Sequence, residues 1–361
     1  MKKYLIIGLL LVAAAAFVLA PLFRSNPIEP AVETEVPAKF TFQENLITAF
    51  GNNITIEADI FSDEIQKIEV VYDDTVLFVK NNPRGKISLS FDGTYRGVGA
   101  RNLDLLVTMK DGKSYIDNRI VRVVSNVEPE RLVAKIVKTY PHESTSFTQG
   151  LEFYKGRLFE STGQYGRSFV AQVDLTTGKI NPNLKMGLDA THFGEGITIL
   201  NDVIYQLTWQ NQKCITYDLK DAIVPKGEFA YKGEGWGLTN DGMHIIMSNG
   251  TEQIHFRNPE TFMTERTIEV YDNNGPRPAL NELEYINGKI YANVWQSNNV
   301  LVIDPFTGMV EQIIDCTELV KEGQGLDREV LNGIAHNEGK IYMTGKDWIS
   351  LFEVRLEPLL P

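Results

Sequence analysis

Five times after residue 140 the chain writes a polar or aromatic residue, then a small residue or glutamate, then leucine or isoleucine. A hydrophobic hairpin follows each time. The starts are Gln149-Gly150-Leu151, Glu195-Gly196-Ile197, Trp236-Gly237-Leu238, Asn281-Glu282-Leu283 and Asn332-Gly333-Ile334, spaced 46, 41, 45 and 51 residues apart. Such a period belongs to β-propeller blades rather than to a helical solenoid. In a propeller the first strand of every blade lines the central channel, so residues far apart in sequence meet at one mouth. Here the meeting set is Gln, Glu, Trp and Asn, which a merely packed core would not select.

Each repeat divides into short alternating strands, four in the first four repeats but only three in the fifth, at 333–336, 340–344 and 349–355. Residues 132–140 alternate, precede the first repeat and belong to no other. They are expected to supply the missing outer strand and close a five-bladed ring, removing two exposed sheet edges. Asp174-Leu-Thr-Thr-Gly178 and Asp304-Pro-Phe-Thr-Gly308 read as equivalent outer turns, and short helices are expected at 219–223 and 316–321.

Upstream, Lys2-Lys3 precede an uncharged apolar run at 4–23, long enough to span a bilayer. The basic start keeps the lysines cytoplasmic and sends the remainder across, whether the segment stays as an anchor or is cleaved as a signal peptide. A periplasmic or otherwise extracytoplasmic location is therefore expected. Residues 24–37, with three prolines and three glutamates, form a stiff solvated linker. Residues 38–126 change to short strands at 54–60, 68–72, 87–91, 102–109 and 119–124, separated by Asn52-Asn53, Asp73-Asp74, Asp92-Gly93 and Asp111-Gly112. The expected architecture is all-β: an immunoglobulin-like sandwich at 38–126, a spacer or docking module, followed by a five-bladed propeller at 127–361.

With 35 Lys+Arg against 47 Asp+Glu the formal charge is −12, and no basic run appears, which argues against nucleic-acid binding. Cys214 and Cys316 fall in the second and fourth repeats and are expected to be unpaired, half-buried thiols. The five histidines show no metal-ligand spacing, and there is no nucleophile elbow or phosphate loop. No cofactor and no catalytic metal are expected.

Several segments together resemble the plant-type glutaminyl cyclases (glutaminyl-peptide cyclotransferases). They are Pro141-His-Glu-Ser-Thr-Ser-Phe-Thr-Gln-Gly-Leu151, Leu158-Phe-Glu-Ser-Thr-Gly-Gln-Tyr-Gly-Arg-Ser168, Phe193-Gly-Glu-Gly-Ile-Thr198 with Leu207-Thr-Trp209, Gly233-Glu-Gly-Trp-Gly-Leu238, Leu280-Asn-Glu-Leu-Glu284 with Asn293-Val-Trp295, and Leu331-Asn-Gly-Ile-Ala335 with Thr344-Gly-Lys-Asp-Trp348. The resemblance spans about 132–356 and leaves out 1–126, which look like an added bacterial anchor and sandwich. It implies a five-bladed propeller that converts N-terminal glutamine of a peptide or protein to pyroglutamate with release of ammonia. By motif position it places active-site groups at Phe147, Gln149, Glu195, Trp209, Trp236, Asn281, Trp295 and Lys346. A non-catalytic periplasmic propeller serving as a binding or scaffold module is the alternative.

The implied chemistry suits these residue types. The substrate amine attacks its own side-chain amide, so proximity is largely built into the substrate. A carboxylate such as Glu195 can take the proton from nitrogen and return it to departing ammonia. Asn281 and Lys346 can donate to the tetrahedral oxyanion, and Gln149 can orient the amide. Phe147, Trp209, Trp236 and Trp295 can wall out water and pack the aliphatic stem. Trp348 reads as structural; Glu160 and Arg167 either form a supporting ion pair, back the site from a layer behind it, or touch substrate.

Overall fold

Alternating side chains and closely spaced turn residues dictate short antiparallel strands. The computed structural model, which describes residues 36–42, 45–323 and 330–359, pairs those of each repeat in chain order. Three four-stranded meanders begin with Thr148–Tyr154, Gly194–Leu200 and Leu238–Asn240. A fourth runs from Leu280–Ile286 to Val310–Asp315, and a last, three-stranded one through Leu331–Asn337, Lys340–Gly345 and Ser350–Pro358. Each first strand packs on the first strand of the next meander, and Leu331–Asn337 packs back onto Thr148–Tyr154, so the five form a closed ring.

The strand Glu130–Pro141 completes the last meander, as its alternation requires: it lies antiparallel to Ser350–Pro358, with Tyr140 opposite Leu351 and Leu132 opposite Pro358. Its first residues also pair in parallel with Val310–Asp315, Glu130 opposite Gln312. The last two meanders thereby fuse into one eight-stranded sheet. The equivalent outer turns are present. Asp174 Oδ1 accepts hydrogen bonds from Thr177 N and Oγ1, both at 2.8 Å, and Asp304 Oδ1 from Thr307 N and Oγ1 at 2.8 and 2.9 Å.

Carboxylates buried in the ring replace strand-to-strand bonds that its splayed geometry cannot make. Glu282 accepts from Leu151 N at 3.2 Å and Ile334 N at 2.9 Å, joining three first strands. Glu152 accepts from Ile199 N at 3.1 Å, and Glu284 from His336 N at 2.9 Å. Burial pushes Glu152 up to about 8, and Glu282 and Glu284 well above the ordinary carboxylate range.

A helix occupies Thr317–Gly323, where one is expected, with Glu318 in its first turn and Lys321 in its last, both favourable to the helix dipole. The helix expected at 219–223 is instead a hairpin turn. Leu219 pairs directly with Ile223, and the three residues between are too few to pay for a helical nucleus. Cys214 and Cys316 are free but fully buried rather than half-buried.

Before residue 126 two sheets share one apolar core containing Ile54, Ile68, Val70, Tyr72, Leu103 and Leu105. One sheet has Asn53–Ile60 between Ala38–Phe40 and Lys86–Asp92. The other orders Asn45–Ala49, Ser114–Val124, Gly99–Met109, Ile65–Tyr72 and Thr75–Asn81. The expected strands are all there, joined by three short ones at the edges. Arg101, itself buried, reaches Glu269 at 2.7 Å, and Val98 N donates to Thr307 O, so these sheets are hydrogen-bonded to the repeats. Residues 38–361 form one unit. The apolar segment 4–23 lies outside the described residues; among those described, no helix is long and apolar enough to cross a membrane.

Candidate active site

The polar–small–Leu motif of the repeats is a backbone irregularity. Strand register shifts between Thr148 and Gly150, between Gly194 and Ile197, between Leu280 and Leu283, and between Leu331 and Ile334. The extra residue of a bulge leaves the ladder and can be re-aimed. Gln149, Glu195 and Asn281 stand at these shifts. The small second residue is required by the neighbouring strand: a Cβ on Gly150 would lie 2.5 Å from Ile197 N, and one on Gly196 2.5 Å from Leu238 N. Close approach in turn allows Gly196 N to donate to Trp236 O at 2.7 Å.

Hairpin geometry supplies the rest of the wall. An antiparallel pair brings the start of the first strand beside the end of the second: Gly194 opposes Thr208, Leu280 opposes Val294, and Leu331 opposes Gly345. Trp209, Trp295 and Lys346 each follow directly. All eight residues singled out by sequence therefore reach one end of the ring and, with Phe193, line a single cavity of about 260 Å³.

Polar groups form the floor. Gln149, Glu195, Asn281 and Lys346 are 3 %, 5 %, 2 % and 6 % exposed, far below what these residue types show on a surface. Asn332 donates to Gln149 Oε1 at 3.1 Å from behind, fixing that amide with its NH₂ free to turn inward. The Oδ1 atom of Asn281 is buried without a hydrogen-bond partner among the described residues, so its amide has capacity for a ligand. The ammonium of Lys346 lies 4.8 Å from the centre of the Phe147 ring.

Aromatic rings form the rim, edge to face. Phe147 and Phe193 are 6.0 Å apart, Phe193 and Trp209 5.7 Å, and Trp236 and Trp295 5.7 Å, contacts that each contribute roughly 0.5–1.5 kcal/mol beyond burial. Trp295 is the most exposed of the set, at 44 %. Trp348 is fully buried beside Phe352 and belongs to the packing core, as its position suggests.

Two residues that the motifs did not single out matter here. Phe193 completes the rim. Glu234 accepts hydrogen bonds from Trp209 Nε1 at 2.8 Å, Trp236 Nε1 at 3.0 Å and Gln210 Nε2 at 3.0 Å. Its sequence signal is membership of the resembling segment Gly233-Glu-Gly-Trp-Gly-Leu238, which does not say what the carboxylate touches. The supposed Glu160–Arg167 pair does not form. Glu160 is fully buried and bonds His142 Nε2 at 3.2 Å and Thr148 Oγ1 at 2.7 Å, whereas Arg167 is exposed.

Two carboxylates at one cavity are thus driven apart. Burial pushes Glu195 well above the usual carboxylate range; Lys346 pulls it down and the negative charge of Glu234 adds to the rise. Burial also works against the anion at Glu234, but the hydrogen bonds from Trp236, Gln210 and Trp209 outweigh it and hold that group below its ordinary value. Glu234 stays an anion while Glu195 is poised to carry a proton, the pattern of a site with one structural and one acid–base carboxylate.

Three comparisons place this arrangement. A curated glutaminyl-peptide cyclotransferase from Arabidopsis thaliana is 40 % identical over 233 residues, spanning 62 % of this chain and 71 % of the plant protein. The crystal structure of Myxococcus xanthus glutaminyl cyclase superposes with a TM-score of 0.60 at 37 % identity, covering 64 % of this chain and all of that one. The glutamine cyclotransferase family model matches residues 111–356, reaching back beyond the motifs to take in the strand Ser114–Val124. Matched over well more than half its length, the chain belongs to the glutamine cyclotransferase family.

Proposed function

We propose that the cavity holds the N-terminal glutamine of a peptide or protein and converts it to pyroglutamate, releasing ammonia. The observation that carries this is the convergence of Gln149, Glu195, Asn281 and Lys346 with a ring of aromatic residues on one small cavity at the mouth of the ring. The aromatic rim clasps the aliphatic stem and excludes water. Gln149 and Asn281 hold the side-chain amide so that the α-amine faces its carbonyl carbon, which makes attack intramolecular.

The substrate nitrogen forms a bond to that carbon and gives up a proton to Glu195. The carbonyl oxygen becomes an oxyanion, met by the cation of Lys346 and the amide of Asn281. Collapse reforms the carbonyl, the carbon–nitrogen bond of the original amide breaks, and Glu195 returns the proton to the departing nitrogen as ammonia. An upward-shifted carboxyl suits both halves, because it is a stronger base than an ordinary carboxylate and still gives up its proton. Mass spectrometry of Gln-initiated peptides incubated with the full chain tests the reaction: loss of ammonia from them, and not from Asn-initiated controls, is expected.

The same proposal takes the closed ring as a five-bladed propeller, with Glu130–Pro141 as the outer strand of its last blade, and residues 38–126 as an immunoglobulin-like sandwich. It places the enzyme outside the cytoplasm, held or delivered by the apolar run at 4–23.

A further inference from the structure

Beside the catalytic cavity lies a second cleft, of about 390 Å³, whose charged lining is cationic: Arg167 and Lys185, with Thr145 and Ser168 between them. It adjoins the first through two contacts. The hydroxyl of Ser168 accepts a hydrogen bond from Gly194 N at 2.9 Å, one residue from Glu195. The ring of Tyr165, 53 % exposed, packs 5.4 Å from Phe193, whose other contacts are with the rim. Tyr165 and Arg167 stand two residues apart on the same turn.

The charge in this cleft is not spent on the protein. Among the described residues neither Arg167 nor Lys185 forms an ion pair, in a chain whose formal charge is −12. Lys185 instead sits 3.9 Å above the Phe169 ring, which holds its ammonium at the cleft without neutralising it. The acids next to the lining are engaged elsewhere: Glu143 Oε1 accepts from Thr145 Oγ1 at 3.2 Å, and Asp189 Oδ1 from Thr191 N at 2.9 Å and Oγ1 at 2.6 Å. An arginine fork and a fixed ammonium facing one hollow form a receptor for a carboxylate.

We infer that, given the cyclisation proposed above, this cleft is a substrate subsite that takes an acidic residue a few positions downstream of the N-terminal glutamine. An extended peptide advances about 3.3 Å per residue, so an adjoining cleft is met within the first few residues after the glutamine. The energy available is that of exposed charges: a preference of several-fold, fading with salt, rather than an absolute requirement.

The test uses the full chain and a series Gln-Ala-Ala-Ala-Ala-amide in which one alanine at a time, from the second to the fifth position, becomes Glu or Lys. Turnover and direct calorimetric binding are both measured at low salt. At one or two positions the Glu peptide is expected to exceed the Lys peptide in kcat/KM by roughly 3–5-fold. The double variant Arg167→Glu, Lys185→Glu is expected to invert that ratio, and Arg167→Lys to retain part of it. Turnover with a Glu/Lys ratio near one at every position, or a ratio unmoved by the double variant, overturns the subsite and leaves the cyclisation standing. A Glu preference in binding that the double variant reverses, without ammonia release from any peptide, supports the subsite and overturns the reaction.

Discussion

The carboxylate of Glu234 holds the indole of Trp209 at 2.8 Å, and through the same oxygen that of Trp236 at 3.0 Å. One side chain thereby sets the width of the cavity between two of its walls. Glu234→Leu removes both acceptors and is expected to raise KM about 10-fold or more, with a shift in tryptophan emission. Glu234→Gln keeps an oxygen for both indoles and removes the charge. Its KM is expected to stay near wild type while the acid limb of the pH profile moves down, because one source of Glu195's elevation is gone. Equal effects of the two substitutions on KM would contradict a positioning role.

Glu195→Gln preserves shape and removes proton transfer, so kcat is expected to fall by at least ~10²-fold with little change in thermal stability. The pH profile of kcat/KM should show an acid limb well above glutamate's ordinary 4.5. Below that limb both the carboxyl and the substrate amine are protonated, and nothing can accept the amine proton. A folded Glu195→Gln protein with near wild-type turnover would falsify the assignment.

Asn281→Ala takes away an amide whose oxygen has no protein partner among the described residues. Loss of an oxyanion donor typically lowers kcat by 10²–10³-fold, and a fall on the order of 10²-fold is expected here, with the acid limb unmoved because Glu195 is untouched. A displaced limb would mean instead that Asn281 acts on the acid–base group.

Phe147, Trp209, Trp295 and Lys346 were legible only through the resemblance to the glutaminyl cyclases, whereas the five-fold repeat, the strand that closes the ring, and Gln149, Glu195, Trp236 and Asn281 were legible in the spacing of the repeat itself. Glu234 and Phe193 were not. Each acts through a contact with another side chain, and contacts between side chains leave no period. The balance at Glu195 also needed coordinates, since burial and Lys346 oppose each other and only depth decides which wins. A Glu160–Arg167 pair was among the expectations because the two share one motif; the fold gives the carboxylate to His142, 18 residues upstream. The short turn after Leu219 fell to hairpin pairing, which a local reading of residues 219–223 could not weigh.

The carboxyl of Glu152 rests at about 8 in the folded protein, raised by burial from an ordinary 4.5. The folded state thus binds this proton more tightly than the unfolded chain does. Its stabilising contribution is complete below about pH 4.5 and is lost as pH rises toward 8. Glu152→Gln, which still accepts from Ile199 N, removes this dependence. The melting-temperature difference between variant and wild type is expected to move in favour of the variant between those two pH values. A constant difference would mean that Glu152 does not titrate in that window.

Ring closure by Glu130–Pro141 against Ser350–Pro358 has a consequence for biogenesis. The two strands are synthesised more than 200 residues apart, so Glu130–Pro141 emerges early and waits for Ser350–Pro358. Until then one end of the nascent sheet array is an open edge, competent to pair with other chains. Ring closure consequently cannot occur until Ser350–Pro358 has emerged, however early the local hairpins form.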